Sequence, residues 1–384
     1  MSNALSIVII GTGLAGYLFA KELRKRDSQS VLTLLTHSDG HFYSKPLLST
    51  ALTQHKTPDQ LAITDKEAMG LQLNAEIITR CAVYKIDTQH KKIAYRDQHN
   101  QDHLLSYDKI VLANGAQYKS IAFKGDAVDE ILSVNQLEDY RLFREKLIGK
   151  KQVAILGSGL IGCEFTNDLL NVGFAVSMIS PDQALLQSWV PKKIGDALQS
   201  ALATLGAQFY LNTVPEKINS GYDIVLSDGK TIHSNLVFAA TGIQPDLSLA
   251  KSAGLLVNRG VIVDDHLQTS DPHIYALGDC AEINGALSMY VAPIMQNARI
   301  LAMILTGENQ SVPKAIMPVV IKTPVCPIVC VPPSRDIQGE WQFEGTGVNV
   351  QGLFYDNQQH LSGFALSGDT VKEKTRLLKK MSDD

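Results

Sequence analysis

At 384 residues, with 45% hydrophobic and 19% charged side chains, the chain can build two or three domains with large cores. A formal net charge of −4 argues against a broad nucleic-acid-binding face, which needs a strongly basic surface. Five cysteines, odd in number and mostly scattered, argue against a secreted disulfide framework, and no apolar run approaches the ~20 residues that span a bilayer.

The opening residues MSNALSIVII carry no basic leader and read as a buried strand, so a cytoplasmic location is expected. Ser6–Ile10 is the first apolar strand, Gly11–Gly16 a tight turn, Tyr17–Lys25 a helix ending in basic residues, and Val31–Leu35 a second strand. Shorter alternating segments follow. Ile77–Val83, Lys92–Arg96 and Ile110–Ala113 predict a β-meander and a returning strand, and Asn114–Leu132 an irregular crossing between domains. The opening order then recurs, with strand Gln152–Leu156, turn Gly157–Gly162, helix Cys163–Val172 and strand Ala175–Ile179. Past Thr241–Pro245 the segments are again strand-like. Pro318–Pro333 opens a different C-terminal region, which closes with the alternating Gly352–Leu366 and a basic helix near Val371–Lys380.

Two turns carry the chemistry. Gly11-Thr12-Gly13-Leu14-Ala15-Gly16 has the GxGxxG spacing between a strand and a helix. There the first glycine permits the turn, the second lets a pyrophosphate approach the backbone, and the third lets helix and strand pack closely. The helix N-terminus supplies N–H groups and a positive dipole. Gly157-Ser158-Gly159-Leu160-Ile161-Gly162 repeats the pattern. One such match is weak; two in strand–turn–helix context predict two dinucleotides in one polypeptide. The acidic residue expected after the second strand is replaced by Thr36, with Asp39 slightly later, and either could hold a ribose. In the repeat the strand ends at Ser180, followed by Pro181 and Asp182. No Arg or Lys is there to meet a 2′-phosphate, which favours NADH over NADPH.

Three further segments carry a resemblance. Thr241-Gly242-Ile243-Gln244-Pro245 and Leu112-Ala113-Asn114-Gly115-Ala116 are similar to the two ATG hinge segments of the two-dinucleotide-binding flavoproteins, the glutathione reductase-like FAD-dependent oxidoreductases. Ile274-Tyr275-Ala276-Leu277-Gly278-Asp279-Cys280-Ala281 resembles their second FAD motif, in which the aspartate binds the ribityl chain. Within that family the whole chain most resembles the rubredoxin reductases, through Tyr43–Thr50, Gly159–Phe165 and Ile321-Lys322-Thr323-Pro324. The resemblance implies an α/β fold, with two Rossmann-type domains and a smaller α+β C-terminal domain that covers the flavin. FAD would occupy residues 1–113 and 246–310, NAD(H) residues 114–245, and the C-terminal domain residues 311–384. It implies FAD contacts at Gly11, Gly13, Leu14, Ala15, Gly16, Thr36, Lys45, Pro46, Val83, Ala113, Asn114, Gly115, Asp279 and Lys322. Contacts to NAD are implied at Gly157, Gly159, Leu160, Ile161, Gly162, Glu164, Ser180, Thr241 and Gly242. Lys45 would lie near flavin N5, Lys322 on the pyrimidine side, and Glu164 at the nicotinamide carboxamide; these three are the implied catalytic residues. The implied reaction is hydride transfer from NADH to the flavin, then single-electron transfers to rubredoxin or a similar small iron–sulfur carrier that supplies an alkane hydroxylase. A flavorubredoxin reductase, a ferredoxin reductase of an oxygenase system, and a nucleotide-sensing flavoprotein remain alternatives.

The cysteines argue against a thiol relay. Disulfide reductases of this resemblance place a cysteine pair in the region that corresponds to Asp39–Ser49, which has none. A serine hydroxyl there cannot carry electrons. Cys326 and Cys330 lack redox spacing and read as small buried hydrophobes. No His/Cys group has zinc spacing, and no metal is expected.

Overall fold

The computed structural model describes residues 4–119 and 121–383; the first three residues of the opening segment and Ser120 of the crossing segment lie outside these. The chain divides into two compact units, the first made of Met1–Lys45, Gln60–Gln117 and Ile243–Ala315, the second of Pro46–Asp59, Tyr118–Gly242 and Ile316–Asp384.

The first unit is organised by a five-stranded sheet. Its order is Ile274–Ala276, Lys109–Leu112, Ser6–Ile10, Val31–Leu35, Glu76–Ile78, all parallel. Ser6–Ile10 is buried at four of its five positions. Such near-continuous apolar strands suit a parallel sheet covered on both faces. Helix Leu14–Arg24 covers it with Ala15, Tyr17, Phe19, Ala20 and Leu23, and helix Val291–Leu305 packs against that helix. A three-stranded antiparallel meander, Ala82–Asp87, Lys92–Arg96 and Asp102–Ser106, completes the unit's larger features.

The second unit repeats the theme with a parallel sheet ordered Gln208–Tyr210, Ala175–Ile179, Gln152–Leu156, Val237–Ala239. Helices Leu137–Lys146 and Leu160–Asn171 bring Tyr140, Phe143 and Phe165 into one aromatic core with Phe238 of the last strand. The C-terminal part is a five-stranded antiparallel sheet in the order Val319–Ile321, Ile328–Val331, Leu361–Ser367, Asn349–Asp356, Gly339–Thr346. Helix Lys374–Asp383 closes it, burying Leu377 beside Phe364 and Leu366.

Several boundaries differ from the sequence expectation. Both helices after the glycine turns start earlier, at Leu14 and Leu160, so the last three fingerprint residues form the first helical turn. Ile77–Val83 is not one strand. Arg80 adopts φ +51°, ending a strand of the parallel sheet at Ile78 and letting a meander strand begin at Ala82. The 15-residue helix Val291–Leu305 lies in a region expected to be mainly strand-like. Gly352–Leu366 spans two strands, not one alternating segment, and the basic C-terminal segment begins as a 3-10 turn, Gly368–Glu373.

Candidate functional site

In the first sheet the chain moves outward from Ser6–Ile10 on one side, then returns on the other with Lys109–Leu112. That reversal opens a crevice at the carboxyl ends of the two central strands, where open α/β sheets bind ligands. Gly11 lies in it with φ +115°, and a Cβ there would sit 2.2 Å from the Ala113 carbonyl oxygen. A Cβ on Gly16 would sit 2.0 Å from the Gly11 carbonyl oxygen, so the helix can approach its strand only without one. Gly13 is different: a Cβ would meet nothing within 4 Å. Close packing therefore does not explain Gly13; open space above the backbone does. The leading amides of the helix have no intrahelical acceptor, and no acidic residue stands in its first turn. This is a cradle suited to a pyrophosphate.

Most of the other expected FAD residues gather on the same unit, whereas Pro46 and Lys322 belong to the second. Thr36, buried at the end of its strand, places its hydroxyl 3.0 Å from that of Ser38, which lies 3.4 Å from Thr12 Oγ1 in the fingerprint. Asp39 instead accepts a hydrogen bond from the His41 amide at 3.1 Å. Ala113 donates its amide to the Ile10 carbonyl at 2.9 Å, and the Asn114 side chain ties down the Asp246 carbonyl at 2.9 Å. Gly115, at φ +74°, again has open space where a Cβ would be. Gly278, at φ +80°, brings its motif so close to the fingerprint helix that a Cβ would lie 2.7 Å from that of Ala15. Asp279 follows, and its carboxylate is 3.5 Å from the Lys45 ammonium. Val83 stands on the meander, paired with Tyr95 and packed against the core.

The second sheet reverses between Gln152–Leu156 and Val237–Ala239. Gly157, with φ +112°, would place a Cβ 2.6 Å from the Ala240 carbonyl oxygen, and Gly162 one 2.1 Å from that of Gly157. Gly159 has nothing within 4 Å. The two fingerprints thus share one division of labour, with packing glycines first and last and an open one between them. Leu160 and Ile161 open the helix, Ile161 being exposed, and Thr241 and Gly242 follow the last strand. Ser180 is buried with its hydroxyl 2.9 Å from that of Ser158, and Asp182 accepts from Ser158 at 2.8 Å and from Ser180 at 3.3 Å. Asp182 is the residue missing from the expected site. It stands three positions past the strand end at Ile179 and folds back to Ser158 and Ser180. Asx-type chemistry after Ser-Pro was the available signal.

Glu164, one turn into the second fingerprint helix, is nearly buried and heavily engaged. Its carboxylate accepts from Ser49 Oγ at 2.5 Å and from the Lys322 amide at 2.9 Å, and it pairs with the Lys322 ammonium at 2.8 Å. That ammonium also donates to Ser49 Oγ at 2.7 Å and to the Pro46 carbonyl. The expected catalytic residues therefore fall into two ion pairs, Lys45 with Asp279 in the first unit and Lys322 with Glu164 in the second. Ser49 is an addition, since its hydroxyl bridges the second pair.

All five cysteines are buried and unbridged. Burial raises the thiols of Cys280 and Cys330 to about 12 and of Cys326 to about 11, and pushes Cys163 higher still. Such thiols are poor nucleophiles near neutral pH. Among the described residues, one metal-compatible group appears, Asp264, Asp265 and His266 on an exposed turn. No described helix is long and apolar enough to cross a membrane.

Comparison with known proteins places these features. Residues 5–313 match the family model of pyridine nucleotide-disulphide oxidoreductases, and residues 314–381 that of the rubredoxin binding C-terminal domain. The chain is 45% identical to a rubredoxin-NAD(+) reductase of Alcanivorax borkumensis, over 98% of both chains. It is 36% identical to a nitric oxide reductase FlRd-NAD(+) reductase of Escherichia coli, over 99% of both. An NADH:rubredoxin oxidoreductase from Clostridium acetobutylicum has the same fold, with a TM-score of 0.85 at 22% identity over 99% of this chain and 96% of that one.

Proposed function

Because the chain belongs to the pyridine nucleotide-disulphide oxidoreductase family, we propose that it is an FAD-dependent NADH reductase of rubredoxin or a similar small iron–sulfur carrier. One observation carries the reading: two glycine cradles, each with its middle glycine facing open space, lie at the switch points of two parallel sheets in one polypeptide. When bound, FAD supplies the conversion between a two-electron donor and a one-electron acceptor.

The chain's own residues bind and orient. Gly11, Gly13, Leu14, Ala15 and Gly16 would cradle the FAD pyrophosphate, with Thr36, Ser38 and Thr12 offering hydroxyls to its ribose, and Ala113, Asn114, Gly115 and Val83 shaping the walls. Asp279 would hold the ribityl chain and Lys45 balance its charge. Gly157, Gly159, Leu160, Ile161, Gly162, Thr241 and Gly242 would receive NADH. Asp182, with Ser180, would accept from the adenosine ribose and repel a 2′-phosphate. Lys322 and Glu164 would stand at the reacting end as a linked pair of opposite charge. We assign FAD to residues 1–113 and 246–310, NADH to 114–245, and the carrier-facing part to 311–384.

The carrier assignment is supported by the match of residues 314–381 to a rubredoxin binding domain and by the higher identity to rubredoxin reductases than to the flavorubredoxin branch. Supply of an alkane hydroxylase rests on the resemblance to rubredoxin reductases alone. Turnover of NADH with rubredoxin, flavorubredoxin and ferredoxin as acceptors tests the proposal. Rubredoxin should give the highest kcat/KM. Purification without FAD, or reduction of disulfides in place of carriers, would refute it.

A further inference from the structure

Pro46–Asp59 belongs to the second unit, although the chain on either side of it, up to Lys45 and from Gln60, belongs to the first. Helices of the second unit fix it there. Asp168, 2% exposed, takes the Leu52 amide at 3.0 Å and the Thr53 amide at 2.8 Å, one on each carboxylate oxygen. Arg144 donates to the Lys56 carbonyl at 2.8 Å, and Asn171 donates to Thr53 Oγ1 at 3.1 Å.

The helix that carries Asp168 also carries Glu164 one turn earlier, and Asn167 between them. Asn167 accepts from the Val325 amide at 3.2 Å, as Glu164 accepts from the Lys322 amide. Three acidic or amide side chains on one helix thus hold two distant segments by their backbones. Those segments meet where Ser49 Oγ and the Pro46 carbonyl receive the Lys322 ammonium.

Burial pushes the Asp168 carboxyl above the usual carboxylate range, against the hydrogen bonds from Thr53 and Leu52 and the charge of Arg144. A buried acid carries a desolvation penalty that its hydrogen bonds and a nearby cation must offset. We propose that Asp168 and Arg144 are positioning residues. By docking Pro46–Asp59 on the second unit they set Ser49 and the Pro46 carbonyl, which hold the Lys322 ammonium against Glu164. This rests on the reading above in assigning that pair to the reaction.

The test uses the FAD-loaded protein with Asp168→Asn, Arg144→Met and Arg144→Lys. Amide hydrogen exchange is followed at Leu52 and Thr53 and, separately, at Lys322. The rate of flavin bleaching by NADH is followed in a stopped-flow instrument. Asp168→Asn should speed exchange about tenfold at Leu52 and Thr53, and also at Lys322, the size expected for a lost charge-assisted hydrogen bond. Bleaching should slow by a similar factor while the NADH Kd stays within about twofold, since a misplaced group costs rate before affinity. Arg144→Met should follow Asp168→Asn, and Arg144→Lys should recover most of the rate. Loosening of Leu52 and Thr53 with no change at Lys322 or in bleaching would overturn the proposal. If Asp168→Asn does not fold, equal bleaching by the two Arg144 variants overturns it instead. A parent protein that NADH cannot bleach would refute the functional reading, while the exchange measurements would still decide the docking.

Discussion

Each fingerprint has first and last glycines pressed against backbone carbonyls and a middle one that faces open space, and substitution can tell their roles apart. Gly11→Ala must place a Cβ against the Ala113 carbonyl at positive φ, so a loss of about 2 kcal/mol or more in folding stability is expected. Gly13→Ala meets no protein atom. It should leave the melting temperature of the flavin-free protein within a few degrees of the parent, yet weaken FAD binding about tenfold or more by occupying the cradle. Flavin titration beside thermal melting of both variants checks the pair, and equal behaviour would remove the distinction. In the second unit, Asp182→Ala should erode the preference for NADH over NADPH. The kcat/KM ratio should fall about tenfold, the scale of one lost charged hydrogen bond to a ribose hydroxyl. An unchanged ratio would mean that Asp182 only staples Ser158 and Ser180 to the strand end.

At the scale of elements, what was legible depended on whether local pattern or tertiary contact set the boundary. Ser6–Ile10, Val31–Leu35, Gln152–Leu156 and Ala175–Ile179 were readable to the residue, because apolar β-branched runs between glycine turns have few alternatives. The helix starts were not. Gly16 and Gly162 look like turn residues by propensity, yet they lie in the first helical turn, where the lack of a Cβ lets the helix approach the carbonyl of the first fingerprint glycine. The break at Arg80 was hidden for the same reason, since nothing in an arginine announces a left-handed backbone. Of the site, the two cradles were visible as spacing, whereas Ser49, Asp168 and Asp182 enter through pairings 115, 116 and 24 positions apart that no local window contains. The basic C-terminal segment carries a prediction of its own. Lys372 pairs with Asp369 and Lys380 lies over the Tyr355 ring, while Lys379 is exposed. Reversal of Lys372, Lys374, Lys379 and Lys380 to Glu should slow reduction of an acidic carrier through its association rate, leaving bleaching by NADH unchanged. The effect should fade with salt as the Debye length drops from ~10 Å at 0.1 M to ~3 Å at 1 M. Equal carrier reduction by variant and parent across a salt series would take this segment out of the interface.

Across the whole molecule, burial has raised many groups that are neutral at physiological pH. Besides the cysteines, Tyr107 and Tyr140 are held up to about 12 by desolvation. The folded chain therefore keeps protons that the unfolded chain releases above the ordinary thiol and phenol values of 9.0 and 10.0. With folded values above unfolded ones, these groups should leave stability unchanged below about pH 9 and lower it as pH rises toward 12. Urea midpoints measured across that window check the sign, and a rising midpoint would contradict it. The order of the strands along the chain has a further consequence, for synthesis. The second unit's parallel sheet has all its strands once Val237–Ala239 is made, but the first unit's still lacks Ile274–Ala276, the neighbour of Lys109–Leu112. On a ribosome the later-starting sheet is the first to be complete, and Ser6–Ile10 waits in a four-stranded sheet whose Lys109–Leu112 edge is still unpaired. A chain released early, between those two strands, would expose that edge to any other chain able to pair with it.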